Sequence, residues 1–359
     1  MKKNGNFLRI SSVILIVIIL IVQCKKKNKN EEEDFVLTPG VFTHSFMNNS
    51  DFMGLVPLGN LNPPGHTLPT DHLYFYLTNP SLQYNIFSPG NLKLKRVKKY
   101  TYTGYVEYTL EMSPGGNYRL IYGHVSDLEP GLSSAIGAIT SNCQSYSTGG
   151  STFNYCEKEV DITLAAGQQL GKAGGHAGQN ALDVGLVKYG SGPEAEFFCP
   201  LDYCTPALKA QLESRLSNYN GTALRTTPPL CGQINQNLAG TLQGQWFKKG
   251  QPKYPEDPHI AFVHDNVNPA KPAISVGISQ TGLSSGVYTF TIAGSGTTNR
   301  DFKDAVPGSV YCYQNIGPAV HLIVEFVNAD EIKVEAKAGA ACVGGETFTA
   351  NAVLYTRGS

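Results

Sequence analysis

Apolar residues along most of this chain alternate with polar ones in short runs that end at glycine or proline. Residues 73–77, 100–112 and 118–122 are rich in aromatic and β-branched side chains and are bounded by Pro-Gly or Gly-Gly pairs. This pattern predicts strands and turns from Phe35 to about Asp202. Beyond Cys231, at least six further strand segments follow without a helical pattern between them, which favours a sandwich or barrel.

One segment departs from this strand-and-turn pattern. Leu208, Leu212 and Leu216 recur every four residues, which predicts a short amphipathic helix over residues 206–217. The pair Pro228-Pro229 then marks a boundary. We therefore predict an all-β protein with a first domain at residues 36–205, a helix and linker at 206–230, and a β-barrel or sandwich at 231–359.

The amino terminus has the features of an export signal. Lys2 and Lys3 precede an unbroken apolar run at residues 13–22, which is short for a membrane span, and Cys24 follows it. This end resembles a bacterial lipoprotein box, although Gln23 stands where a small residue is usual. We predict a lipoprotein signal peptide at residues 1–24, lipidation of Cys24 and a charged tether at 25–35; the alternative is an uncleaved membrane anchor.

Composition narrows the class of partner. The 28 basic and 28 acidic residues cancel, so no chain-wide field would attract nucleic acid. Charged residues make up only 16% of the chain, whereas it contains 38 glycines, 21 prolines and 19 tyrosines. We therefore expect no nucleic-acid partner. From the export signal and the lipoprotein box, we expect the protein to be lipid-anchored in the bacterial cell envelope, either periplasmic or surface-exposed.

Export also changes the expected role of the cysteines, because the thiols of exported proteins form disulfides more readily than metal clusters. We predict bonds between Cys143 and Cys156 and between Cys312 and Cys342. Cys231 pairs with either Cys199 or Cys204, and the sequence does not choose between them.

Three segments carry groups that suit chemistry. The first contains His66, Asp71 and His72 at the start of a strand, and imidazole with carboxylate is a donor set for Zn²⁺. The second is Tyr122-Gly123-His124, on a strand that runs into a polar turn. The third holds the turn Gly167-Gln168-Gln169-Leu170-Gly171 and the later segment Ala181-Leu182-Asp183.

In this order, the segments resemble the lysostaphin-type (LytM-like) zinc metallopeptidases, which cut peptidoglycan cross-bridges. The resemblance spans about residues 54–189 and implies the duplicated hybrid-motif β-fold of that family. It assigns zinc ligands to His66, Asp71 and Asp183, and a catalytic, transition-state-stabilising role to His124. His66 and Asp71 are separated by four residues where the family has three, and on a regular strand His72 would face away from Asp71.

The resemblance is degenerate at the family's H-x-H strand. Ala181 stands at the first histidine, which is associated with activation of water, and Asp183 at the second, a zinc ligand. An alanine methyl cannot accept a proton, and loss of a general base costs about 10²–10⁴ in rate. We therefore expect an envelope-anchored, peptidase-like module that has lost full catalytic function and binds the cell wall or an envelope protein. The alternatives are an active zinc endopeptidase and a surface adhesin.

Overall fold

A computed structural model describes residues 35–190, 195–317 and 319–358, so the predicted signal peptide, Cys24 and the tether lie outside the described residues. The described chain is all-β, as predicted, with two antiparallel sheets and two short α-helices. None of its helices has the length and apolar character that a membrane crossing requires.

The strands of the first sheet, in chain order, are β1 (Phe52–Val56), β2 (His72–Leu77), β3 (Gln83–Phe87), β4 (Leu92–Thr101), β5 (Val106–Ser113), β6 (Tyr118–Leu128), β7 (Cys143–Thr148), β8 (Ser151–Leu164), β9 (Gln169–Gly174), β10 (Ala181–Tyr189) and β11 (Ala195–Phe198). The spatial order is β1-β2-β10-β6-β5-β4-β8-β7, with β11 paired to β10 and β9 bridging β3 and β6. The expectation of one strand at residues 100–112 is wrong, because a turn between Thr101 and Val106 divides this segment between β4 and β5.

A bulge explains the irregular apolar spacing of β4. Leu94 and Val97 are both fully buried although they are three positions apart, an odd offset that would place them on opposite faces of a regular strand. The register against β5 and β8 shifts between Leu94 and Arg96, and the extra residue returns Val97 to the core face.

The glycine turn at residues 167–171 lets β9 pass close to its neighbours. Gly167 has a φ of +77°, a conformation that glycine adopts without steric cost. A side chain at Gly171 would collide with the carbonyl oxygen of Asp127 on β6. Glycine at both positions is therefore explained by backbone geometry, without a catalytic role.

Helix α1 (Pro130–Ile136) was not predicted from the sequence, and its start is capped by the Glu129 carboxylate, which accepts the Leu132 N–H at 2.8 Å. Helix α2 (Pro206–Glu213) was predicted, and it buries Leu208 and Leu212 against the first sheet's core. It ends four residues earlier than the leucine spacing indicated.

The strands of the second sheet are β12 (Gly244–Lys248), β13 (Ile260–His264), β14 (Pro272–Val276), β15 (Gly286–Thr289), β16 (Val310–Gly317), β17 (Val320–Asn328), β18 (Glu331–Ala338) and β19 (Val353–Arg357). Their spatial order is β15-β14-β13-β12-β19-β18-β17-β16. The sheet curls into a nearly closed barrel around a separate core that contains the fully buried Trp246. A short 3₁₀ turn (Phe302–Asp304) lies between β15 and β16.

Candidate functional site

The candidate site lies where β2, β10, β6 and β5 run side by side. His72 is the first residue of β2, Asp183 lies on β10, and Glu107 lies on β5. In the antiparallel ladders Asp183 is opposite Tyr74 of β2 and opposite Gly123 of β6. Residues that are far apart in sequence are thereby placed on one face of the sheet.

Gly123 and His124 form a local irregularity that completes this face. A Cβ at Gly123 would lie 3.2 Å from the Cβ of Asp183, so glycine leaves room for that carboxylate. His124 has a φ of 57°, in the left-handed region, and the register of β6 against β5 shifts beside it. This bulge turns the His124 ring to the side of the sheet that carries Asp183.

Two imidazoles are held in the same way on either side of Asp183. The Nδ1 atom of His72 is 2.8 Å from Oδ1 of Asp71, and Nδ1 of His124 is 3.0 Å from Oε2 of Glu107. Their Nε2 atoms are 3.3 Å and 3.5 Å, respectively, from Oδ2 of Asp183. Each ring is thus oriented by one carboxylate and directed at a shared one.

The charges of this cluster are strongly coupled. Burial opposes protonation of His72, but Asp183 and Asp71 outweigh it and raise its pKa to about 10. His124 is likewise raised to a pKa of about 9, because Asp183 and Glu107 outweigh its burial. Burial alone would raise the pKa of Asp183, but the two imidazoles lower it. The His124 side chain is 45% exposed against 17% for His72, so solvent screens the His124 charge more.

Two buried polar atoms at the centre of the cluster have no hydrogen-bond partner among the described residues. They are Nε2 of His72, whose 3.3 Å approach to Asp183 lacks hydrogen-bond geometry, and Oδ1 of Asp183. Buried polar atoms are rarely left unpaired, and two of them at one point mark a place where an ion or a water molecule would bind.

His66, Asp71, His124 and Asp183 all line one groove in the structure. The contacts give Asp71 and His72 roles that differ from the expected ones. The ring of His66 lies 5.6 Å from that of His72, centroid to centroid, and burial with repulsion from His72 lowers its pKa. Asp71 hydrogen-bonds His72, so the expectation that they face apart is wrong. Asp71 precedes β2, and strand alternation does not apply across that junction.

Ala181 is excluded from the cluster by packing. It is 6% exposed and contacts Val56, Tyr74 and Tyr76 on the same sheet. His176 is also separate, because its ring stacks on Tyr105 with 4.6 Å between centroids. Neither residue restores the histidine that the resemblance places at position 181.

The donor set fits a divalent metal such as the zinc that the resemblance implies. His66, His72 and Asp183 offer two imidazoles and one carboxylate, with Asp71 as the carboxylate behind His72. The unpaired atoms of His72 and Asp183 supply the observation that supports the fit. The donor atoms are more widely spaced than in a closed metal centre: over the described ranges, only Cys312, His321 and Glu346 place three within 4.8 Å, and Cys312 is in a disulfide.

The cluster opens into a groove of about 2130 Å³, and both halves of the chain line it. Asp257, from the loop between β12 and β13, accepts the Thr148 hydroxyl at 2.7 Å and the Gly149 N–H at 2.6 Å. Its neighbour Glu256 accepts the Leu68 N–H at 2.9 Å, and burial raises its pKa to about 7. This loop therefore fastens the barrel to two segments of the first half that line the groove.

The cysteine pairs predicted from the sequence are present: Cys143 with Cys156 across β7 and β8, and Cys312 with Cys342. The sequence left open whether Cys199 or Cys204 pairs with Cys231. In the structure Cys199 bonds Cys231, and Cys204 is a buried free thiol. The bond from Cys199 to Cys231 ties the end of the first sheet to the linker that precedes the barrel.

Sequence reasoning missed three functional candidates: His72 as a central group, Glu107 and Glu256. The adjacency of His72 to Asp71 was the available signal for the first. Glu107 is 17 residues away in sequence from His124, the residue to which it is hydrogen-bonded. Glu256 comes from the other half of the chain and contacts Leu68. No spacing rule joins such positions.

Comparisons with known proteins add little to this geometry. No protein-family model and no curated protein matches the chain. Among solved structures, the NMR solution structure of lysostaphin matches over 86% of this chain and 91% of that chain, with 9% identity and a TM-score of 0.26. A superposition of this quality carries no argument, so the case for function rests on the side chains of the groove.

Proposed function

We propose that this protein is a lipoprotein of the bacterial cell envelope whose groove binds peptides of the cell wall beside a divalent metal. The observation that carries the proposal is the pair of unpartnered buried atoms, Nε2 of His72 and Oδ1 of Asp183, beside a groove that also holds His66. A zinc ion held there would supply a Lewis acid for a peptide carbonyl group.

The residues around this site position the groups that a peptide would meet. Asp71 fixes the ring of His72 through Nδ1, which leaves Nε2 on the side of Asp183. Glu107 does the same for His124, whose half-exposed ring lies at the groove surface. Binding rather than efficient turnover is the favoured outcome, because position 181, where the resemblance expects a proton-accepting histidine, holds an alanine packed among apolar side chains.

A second function, zinc-dependent cleavage of peptidoglycan cross-bridges, is favoured by one contact. An imidazole that is oriented by a buried carboxylate and exposed in a groove is the arrangement of a general acid or base, and His124 with Glu107 has it. In this case His124 would exchange a proton with the scissile group, while Asp183 keeps the imidazole charged.

The test is a calorimetric zinc titration of the full-length protein in detergent. We expect Asp71→Asn to weaken zinc binding about 10- to 100-fold, as loss of an orienting carboxylate does, and Asp183→Asn or His72→Ala to weaken it further. His44→Ala is the matched control, since His44 is exposed and outside the groove. Equal zinc affinity in all variants would refute the metal site.

Binding to purified peptidoglycan sacculi and release of soluble fragments then separate the two functions. Retention on sacculi without release supports the binding role. Release that requires zinc and disappears in His124→Ala would establish the peptidase instead. A protein that neither binds nor cleaves sacculi, with or without zinc, would contradict both.

A further inference from the structure

One wall of the groove, next to His124, is built from aromatic rings. Tyr102 stacks on Tyr105 with 4.6 Å between centroids, and its edge meets Phe153 at 6.3 Å and 89°. Phe153 in turn stacks on Tyr146 at 5.1 Å. Tyr100 adjoins this set, and its hydroxyl interacts with that of Tyr146. The rings come from the facing ends of two hairpins, β4–β5 and β7–β8.

A buried carboxylate lies at the base of these rings. Glu107 is 6% exposed, and its Oε2 atom receives both of its contacts, from His124 at 3.0 Å and from the Tyr102 hydroxyl at 3.4 Å. Among the described residues no hydrogen bond reaches Oε1. Burial and then the Glu107 charge raise the pKa of Tyr102, which agrees with the carboxylate facing the phenols.

The groove as a whole is acidic. Among the described residues, its charged lining comprises one lysine, Lys253, and six carboxylates, from Asp71, Glu107, Asp183, Glu196, Asp202 and Glu256. These carboxylates outnumber the cations even when the lining histidines, His66 and His124, are both counted as protonated. Such a surface favours a cationic ligand over an acidic or neutral one.

We propose that Tyr100, Tyr102, Tyr146, Phe153 and Glu107 form an ammonium pocket, which binds a primary amine of a peptide ligand. Ring faces attract a cation through their quadrupole, and the Glu107 carboxylate at the end of the pocket, which it shares with the His124 imidazole, adds negative charge. The amine is a lysine-type side chain or an amino terminus. This inference rests on the proposed peptide-binding function and names the group that the peptide must carry.

The burial of the rings favours an amine over a sugar. A sugar stacks on broad, exposed ring faces, whereas here only Tyr146 is exposed, at 44%, and Tyr100, Tyr102 and Phe153 are each partly buried. An ammonium group needs only a small opening between rings and a fixed negative charge. Sugar oligomers are nevertheless a competing outcome that the experiment includes.

The experiment is calorimetric titration of the full-length protein in detergent with EDTA present, so that it does not depend on the metal site. The probes are a blocked glycine-rich peptide with one lysine and the same peptide with that lysine Nε-acetylated. We expect acetylation to weaken binding about tenfold or more, since it removes the charge. We expect Tyr102→Leu and Phe153→Leu each to weaken binding of the lysine peptide about 5- to 30-fold.

Tyr219→Leu is the matched control, because Tyr219 is 58% exposed and outside the groove lining; it should bind the lysine peptide as the unmutated protein does. Equal binding of the two peptides to the unmutated protein would overturn the ammonium pocket even if a variant failed to fold. An unchanged affinity of Tyr102→Leu for the lysine peptide, or tighter binding of a chitin oligosaccharide than of that peptide, would overturn it too. If the protein binds zinc but does not distinguish the lysine peptide from its acetylated form, the metal site is supported and only the ammonium pocket is refuted.

Discussion

Glu256 gives the sharpest test of how the barrel is fastened to the groove. Its carboxylate is partly buried and accepts the Leu68 N–H from the other half of the chain at 2.9 Å. Burial raises its pKa from 4.5 to about 7, and the nearby Asp71 adds to the rise. Glu256→Gln keeps an oxygen acceptor for Leu68 and removes the charge.

The sign of the effect follows from proton binding. Between pH 4.5 and about 7 the folded protein retains a proton on Glu256 that the unfolded chain has released, so the free energy of unfolding falls as pH rises through this window. The full loss, complete above pH 7, is at most about 3 kcal/mol for a shift of this size. The glutamine amide does not titrate, so Glu256→Gln should match the parent protein near pH 4.5 and exceed it in stability at pH 8.

Urea unfolding at pH 4.5, 6 and 8 with EDTA present measures this difference, with fluorescence of the fully buried Trp246 as the reporter of the barrel. Glu196→Gln is the matched control, because Glu196 is an exposed groove carboxylate, and it should show no pH-dependent gain. The reasoning fails if Glu256→Gln is no more stable than the parent protein at pH 8, or if its advantage shrinks as pH rises.

Three further predictions test other parts of the molecule. Burial raises the pKa of Cys204 to about 12, so iodoacetamide should label this thiol at pH 8 only after unfolding; rapid labelling of the native protein would contradict its placement. Gly171→Ala should lower stability by more than about 1 kcal/mol, because its methyl group would collide with the backbone of Asp127; an unchanged melting temperature would show that β9 shifts freely. Cys24→Ser should abolish metabolic labelling with palmitate, and persistent labelling would disprove the lipoprotein anchor.

The sequence by itself determined the fold class and much of the covalent framework. Alternating apolar residues and turn glycines are local signals that predicted the all-β character, and the four-residue spacing of leucines predicted helix α2. The disulfides of Cys143 with Cys156 and of Cys312 with Cys342 also followed from spacing and export. The family resemblance of the three motif segments, rather than any local pattern, led to the prediction that His66, Asp71, His124 and Asp183 form one site.

Only the tertiary structure decided how those neighbours work together. Strand periodicity assigns a side chain to a face, but it ends where the strand ends, so it misplaced His72 relative to Asp71. The bulge at His124 and the register of β10 between β2 and β6 bring two imidazoles to one carboxylate. Glu107, Glu256 and the choice of Cys199 depend on contacts between distant strands and loops. Such contacts are fixed by how whole sheets pack, which no local pattern in the sequence records.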